Sequence, residues 1–155
     1  MTDIKTLAGQ HFVIACDHGG FALKEHVLGY FAAQNITGFT DLGVFSTDSA
    51  HFPQQADKAV TAIKNGEAIW AILICGTGIG MSIAANRHAG IYCALCHDVT
   101  TARLSREHNN ANILAIGGRL IGPTLAEDMI QTFMATPFLA GRYQDRIGMI
   151  DPLGC

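Results

Sequence analysis

Short runs of apolar residues alternate along the chain with longer amphipathic segments. The short runs predict β-strands at residues 11–16, 38–42, 71–75, 91–96 and 113–116. The longer segments have apolar residues at helical spacing and predict helices at residues 21–33, 53–65, 81–86, 100–107, 123–134 and 142–150. Continuous apolar strands that alternate with helices are typical of a parallel sheet covered on both faces. We therefore predict a three-layer α/β/α, Rossmann-like domain with a five-stranded parallel sheet.

Length and composition narrow the class of protein. The 155 residues contain no repeat or linker, which indicates a single domain over residues 1–155, with residues 1–10 as an N-terminal extension. A hydrophobic content of 49% excludes disorder, and a net charge of -3 argues against nucleic-acid or membrane partners. No apolar run is long enough to span a membrane. Five cysteines, an odd number, suggest free thiols and a cytoplasmic location.

Polar residues follow several predicted strands directly. Asp17 and His18 follow the first strand, a glycine-rich loop follows Cys75, and His97 and Asp98 follow the fourth strand. In open α/β sheets, ligands bind beyond the carboxyl ends of the strands. We expect the functional site at this edge of the sheet.

The glycine-rich loop joins the most apolar strand to a helix and consists of Gly76, Thr77, Gly78, Ile79 and Gly80. Its backbone N–H groups and the helix dipole form an anion site that suits a phosphate or the oxyanion of a reacting sugar. The alternative is an ordinary tight turn. A dinucleotide site, with Asp98 about twenty residues on as the ribose-binding acid, fits less well, because the spacing is G-x-G-x-G and the loop follows the third strand.

Cys75 ends its strand at the mouth of this loop. Nearby helix N-terminal amides favour the thiolate, which suits a nucleophile or a base that removes a proton from carbon. The alternative is an inert core thiol. Cys93, Cys96 and His97 match a haem-attachment pattern, but residues three apart on a strand point to opposite faces, so we assign both cysteines to the core. We expect no metal and no cofactor.

Three further side chains could handle protons or anions. His108 lies between a helix and a strand, where it could shuttle protons or simply end the helix. Arg142 and Arg146 are four residues apart and share one helix face if that segment is helical. Either a phosphate or the carboxylates of Asp145 and Asp151 could compensate their charges.

Separated motifs, taken in order, resemble ribose-5-phosphate isomerase B, whose wider family also includes galactose-6-phosphate isomerase subunits. The resemblance covers about residues 11–150 and rests on residues 16–21, 73–82, 102–112, 117–119, 121–123 and 141–146. It implies interconversion of D-ribose 5-phosphate and D-ribulose 5-phosphate through a cis-enediolate, without a metal. It also implies a homodimer or a dimer of dimers, with sites at the subunit interface that the C-terminal segment 140–155 reaches.

The resemblance also implies a role for each site residue. Cys75 would take the C2 proton, the amides of residues 76–80 would stabilise the enediolate, and Thr77 would contact the sugar. His108, helped by Asp17, would open the furanose ring, and Asn109 would bind sugar hydroxyls. The phosphate would be held, partly from the partner subunit, by His18, Arg119, Arg142 and Arg146.

Two departures from the family pattern concern the substrate. The family usually shows Asp-Tyr-Pro-x-Tyr after the second strand, where this chain has residues 51–55, His-Phe-Pro-Gln-Gln. Tyr143 stands where a histidine is often seen. A six-carbon substrate such as allose or galactose 6-phosphate therefore remains an alternative. A non-catalytic module that binds nucleotides or phosphometabolites is the alternative of another class.

Overall fold

The computed structural model describes residues 10–150, and its strands form one parallel sheet. The strand order is β2-β1-β3-β5-β4, with β1 Phe12–Cys16, β2 Phe39–Asp41, β3 Trp70–Cys75, β4 Cys93–Leu95 and β5 Ile113–Gly117. The helices are α1 Phe21–Ala33, α2 Phe52–Lys64, α3 Ile79–Ala85, α4 Val99–Asn109, α5 Pro123–Ala135 and α6 Arg142–Ile147. Most of the predicted N-terminal extension and the last part of the predicted tail lie outside the described residues. Within residues 10–150, no helix is long and apolar enough to cross a membrane.

Each face of the sheet has its own apolar core. Phe12 and Ile14 of β1 point to the face covered by α1, α4 and α5, and Val13 and Ala15 point to the face covered by α2 and α3. Side chains alternate along a strand, so buried strands need apolar residues on both faces. The predicted three-layer α/β/α fold with five parallel strands is therefore confirmed.

Three helix boundaries were predicted wrongly by two residues or more, one of them the end of α4 at Asn109 instead of residue 107. Helix α3 begins at Ile79, two residues earlier than expected, because Gly78 is its left-handed N-cap with φ +79° and Gly80 already lies in the first turn. Helix α6 ends at Ile147, three residues earlier than expected, with Gly148 as its C-cap. At Gly78 the left-handed backbone needs the freedom of glycine, which the apolar pattern does not record, whereas Gly148 has an ordinary right-handed conformation.

The sheet changes winding direction between β1 and β3. From β1 the chain moves outward to β2 on one side, and from β3 it crosses to the edge strand β4 on the other side before it returns to β5. Such a switch point leaves a crevice at the carboxyl ends of the two strands. The segments that follow Cys16 and Cys75 open into this crevice.

Lys24 lies completely buried in α1, which the sequence pattern did not predict. Its ammonium group pairs with Asp41 at the end of β2 and with Glu25. Burial alone would lower the pKa of Lys24, but hydrogen bonds to Asp41 and Glu25 raise it overall above its ordinary value. The second Asp41 carboxylate oxygen accepts from the Gly43 N–H, so this network anchors the start of the loop between β2 and α2.

Candidate functional site

Asp17 shapes the turn that leads from β1 into α1. The residue is buried, and its Oδ1 atom accepts hydrogen bonds from the N–H groups of Gly19 (2.8 Å) and Gly20 (3.2 Å). A carboxylate that accepts from its own turn fixes the backbone locally. Asp17 is thus held rigidly at the carboxyl edge of the sheet.

Three loops from neighbouring strands meet at this edge. Gly118 donates its N–H to the Cys75 carbonyl at 2.7 Å, and Arg119 donates to the Gly76 carbonyl at 3.1 Å. A Cβ on Gly19 would lie 2.9 Å from the Gly76 nitrogen, so the first loop also presses directly on the glycine-rich loop. The sequence predicted that these motifs lie at one edge of the sheet, and the backbone brings them into contact.

The glycine-rich loop, residues 76–80, folds over the sulfur of Cys75. The Gly78 N–H donates to Cys75 Sγ at 3.0 Å, and the Ile79 N–H donates to Thr77 Oγ1 at 3.3 Å. Only 5% of Cys75 is accessible, so the sulfur forms the floor of the loop. Backbone N–H groups in such a turn present partial positive charge to an anion.

Replacing Gly78 by alanine is expected to cost about 3 kcal/mol of unfolding free energy. A Cβ there would lie 2.5 Å from Leu95 Cδ1 and 3.0 Å from the Ile116 carbonyl carbon, in addition to the strain of φ +79°. Gly66→Ala is the matched control, since Gly66 has φ +75° but open space around it. It should cost only about 1 kcal/mol. Urea unfolding compares the two variants. Equal losses of unfolding free energy would contradict the predicted steric clash at Gly78.

Two basic side chains belong to the loops that meet at this edge. The Arg119 side chain lies over Gly76, since a Cβ there would be 3.6 Å from Arg119 Cδ. The Ala50 N–H donates to His18 Nδ1 at 3.2 Å. Because Nδ1 acts as an acceptor, the neutral ring carries its hydrogen on Nε2 and offers it as a donor. Arg119 and His18 therefore supply donors for an anionic ligand beside the loop amides.

The residues described so far at the carboxyl edge of the sheet form a first cluster. A second cluster lies where α4 meets α6 and consists of His108, Arg142, Tyr143 and Arg146. The rings of His108 and Tyr143 stack with their centroids 4.3 Å apart and their planes at 13°. Arg142 and Arg146 lie near the same Tyr143 ring. Neither arginine forms an ion pair with a carboxylate in residues 10–150, so pairing with Asp145 is excluded, while Asp151 lies outside the described residues.

The two clusters lie at opposite edges of the sheet within one chain. Helix α4 begins beyond the carboxyl end of β4 and returns to the start of β5, so its last residues, His108 and Asn109, lie at the amino edge. Asn109 lines a cavity of about 390 Å³ together with Cys93, the first residue of β4. A helix of 11 residues is about 16 Å long. A single chain therefore does not bring His108 and Asn109 to Cys75.

The dinucleotide and haem alternatives find no support at these positions. Asp98 is the N-cap of α4, and its Oδ1 accepts from the Thr101 N–H at 2.8 Å. Cys93 and Cys96 belong to the cores on opposite faces of the sheet. Burial raises the pKa of both thiols, and it raises the pKa of Cys16 to about 11. Within residues 10–150, no group of His, Cys, Asp or Glu side chains could hold a metal ion.

Sequence reasoning missed the contacts of two residues that organise these clusters, although it noted Tyr143 as a departure from the family pattern. Ala50 acts on His18 through its backbone, which leaves no signal in the side-chain pattern. Tyr143 contacts His108 across two helices that are far apart in the sequence. The one available signal was its position between Arg142 and Arg146.

The fold and the first cluster define an α/β protein with a glycine-rich loop folded over a buried thiol at the switch point of a parallel sheet. The model of the Ribose/Galactose Isomerase family matches residues 12–150. The chain belongs to this family.

Named relatives cover nearly the whole chain. The crystal structure of a ribose 5-phosphate isomerase from Thermotoga maritima is 49% identical, with a TM-score of 0.89, over 92% of this chain and 98% of that one. Ribose-5-phosphate isomerase B of Escherichia coli is 38% identical over 87% of this chain and 90% of its own length. A 4-deoxy-4-sulfo-D-erythrose isomerase of a Clostridium species is 41% identical over 81% of this chain and 79% of its own length.

Proposed function

We propose that the protein is an aldose–ketose isomerase that interconverts D-ribose 5-phosphate and D-ribulose 5-phosphate through a cis-enediolate. The observation that carries the proposal is the Cys75 sulfur lying under the N–H groups of the glycine-rich loop, 3.0 Å from the Gly78 nitrogen. Enediolate chemistry requires a base beside an oxyanion site, and this loop supplies both. Membership of the family and relatives named as ribose-5-phosphate isomerases support the choice of reaction.

In this mechanism the Cys75 thiolate removes the hydrogen from C2 of the open-chain aldose. The electron pair of the C–H bond forms the C1=C2 double bond, and the aldehyde oxygen takes the negative charge. The N–H groups of residues 76–80 donate to that oxygen, and Thr77 contacts the sugar. The thiol then returns a proton to C1 while the O2 proton passes to O1, which leaves the C2 carbonyl and the C1 hydroxyl of the ketose. The Gly78 N–H stabilises the negative sulfur by hydrogen bonding.

A phosphate at the other end of the sugar would orient the substrate for this step. His18 offers its Nε2–H, and the Arg119 side chain lies over Gly76 of the glycine-rich loop. Interactions with a non-reacting group hold the reacting carbon over the base and contribute to the rate through orientation. The sulfonate of the substrate named for the Clostridium relative is likewise an anionic end group.

We propose that two copies of the chain complete each site. His108, Asn109, Arg142 and Arg146 lie at the far edge of their own sheet, and a second copy could present them to Cys75. Beside the glycine-rich loop, Ile79 is 49% exposed and Ile83 is 61% exposed, at adjacent positions on one face of α3. An apolar patch at this place suits coverage by a partner subunit. The assembly would be a homodimer or a dimer of dimers in the cytoplasm, and the free cysteines of the described chain support a reducing compartment.

Incubation with ribose 5-phosphate in deuterium oxide tests the proposed reaction. Ribulose 5-phosphate should form and should carry deuterium at C1, because the shuttled proton exchanges with solvent. Turnover of allose or galactose 6-phosphate in preference to ribose 5-phosphate would favour the six-carbon alternative. Binding of these sugars without turnover would favour the non-catalytic module, and either result would contradict the proposal.

A further inference from the structure

Tyr143 contacts all three basic residues of the second cluster. Its ring stacks on His108 at 4.3 Å, and its phenol oxygen accepts a hydrogen bond from Arg142 Nη2 at 3.0 Å. The guanidinium carbons of Arg142 and Arg146 lie 5.0 Å and 5.8 Å from the ring centroid. Tyr143 itself is half-buried, whereas both arginines are exposed. It is therefore the one residue that the three basic side chains share.

These contacts keep two like charges together before a ligand arrives. Two guanidinium groups at adjacent positions on a six-residue helix repel each other, and no carboxylate in residues 10–150 neutralises them. The negative face of an aromatic ring attracts cations, and a phenol oxygen accepts a hydrogen bond from one of them. Tyr143 thus keeps both side chains near each other and near His108.

We propose that Tyr143 is a positioning residue that couples the phosphate-binding arginines to the histidine that opens the sugar ring. This inference rests on the proposed function. A phosphate held by Arg142 and Arg146 fixes the ring of Tyr143, and the stacked Tyr143 ring fixes the plane of His108. Binding of the phosphate end therefore orients the imidazole toward the furanose end of the same substrate.

The coupled step is opening of the furanose. The C1–O4 bond breaks, O4 gains a proton, and the C1 hydroxyl loses one, so the step needs no oxidant and no net proton. His108 can serve as the proton carrier only with one ring nitrogen directed at the sugar. Ribulose 5-phosphate bypasses this step, because its C5 oxygen is esterified and it has no furanose form.

Tyr143→Phe and Tyr143→Leu separate the two contacts of Tyr143. The phenylalanine variant keeps the stack but loses the bond to Arg142, so the KM for ribose 5-phosphate should rise about fivefold with kcat within about twofold. The leucine variant loses the stack as well, so kcat should fall about tenfold or more. Gln144→Leu, on the same helix and exposed, is the control and should match the wild type.

The ratio of two rates distinguishes positioning from general damage. Solvent deuterium exchange into ribulose 5-phosphate needs Cys75 but not ring opening, so Tyr143→Leu should keep this exchange while it loses turnover of ribose 5-phosphate. The ratio of exchange to turnover should rise about tenfold. An equal loss of both rates, or wild-type kinetics in both Tyr143 variants, would overturn the inference.

Binding of inorganic phosphate tests the arginine contact without any reaction. Its Kd, measured by calorimetry, should rise about fivefold in Tyr143→Phe and stay unchanged in Gln144→Leu. An inactive wild-type protein would contradict the proposed function alone, and the phosphate Kd would then still decide the inference. An unchanged Kd in Tyr143→Phe would overturn it.

Discussion

Replacing Cys75 by alanine is expected to lower kcat for ribose 5-phosphate by about a thousandfold or more. The sulfur lies under the glycine-rich loop, where it would take the C2 proton, and it already accepts the Gly78 N–H. Alanine leaves the loop amides and the phosphate donors in place. The variant should therefore still bind a phosphorylated sugar acid, while exchange of the C2 hydrogen with solvent disappears.

Cys93→Ala is the matched control for this loss. Cys93 packs in the same apolar core as Cys75 but begins β4 at the opposite edge of the sheet. Both substitutions remove one buried sulfur and should cost about 1 kcal/mol of stability each. Only Cys75→Ala should lose turnover, which a steady-state assay and urea unfolding establish together. Normal turnover in Cys75→Ala would exclude the sulfur as the base.

Strands β1, β3 and β5 were predictable because both of their faces are buried. In β3 all six residues are buried, so its apolar run is continuous and can be recognised in the sequence. The start of α3 was not predictable, because the left-handed backbone at Gly78 decides it. Lys24 was missed for a related reason, since its partner Asp41 belongs to another element.

The candidate site was predictable only in part. Asp17 and Cys75 follow strands directly, so the parallel sheet alone places them at one edge. His108 is harder to place, because it follows a helix that runs back along the sheet. The family resemblance grouped His108 with Cys75, whereas the topology of one chain separates them. Side-chain contacts such as the stack of Tyr143 on His108 depend on packing between distant segments, which sequence spacing does not encode.

Two inactive variants are expected to restore activity when their subunits are mixed. Cys75→Ala removes a group from the carboxyl edge of the sheet, and His108→Ala removes one from the amino edge. If each site combines the carboxyl edge of one subunit with the amino edge of the other, a mixed dimer has one site with both defects and one site with neither. Random exchange makes half of the dimers mixed, so the mixture should reach about one quarter of wild-type activity.

A second mixture tests whether the recovery depends on opposite edges. Asp17→Ala and Cys75→Ala alter the same edge, because Asp17 follows β1 and Cys75 ends the neighbouring β3. Every site in their mixed dimer retains one defect, so no recovery is expected.

Two affinity tags allow the mixed dimers to be isolated after unfolding and refolding together, and their turnover of ribose 5-phosphate is then measured. An inactive Cys75→Ala/His108→Ala mixed dimer would contradict the shared site, because each site would then be built within one chain. If the Cys75→Ala/His108→Ala mixture is active and the Asp17→Ala/Cys75→Ala mixture is not, His108 must act on the sugar bound over the partner's Cys75.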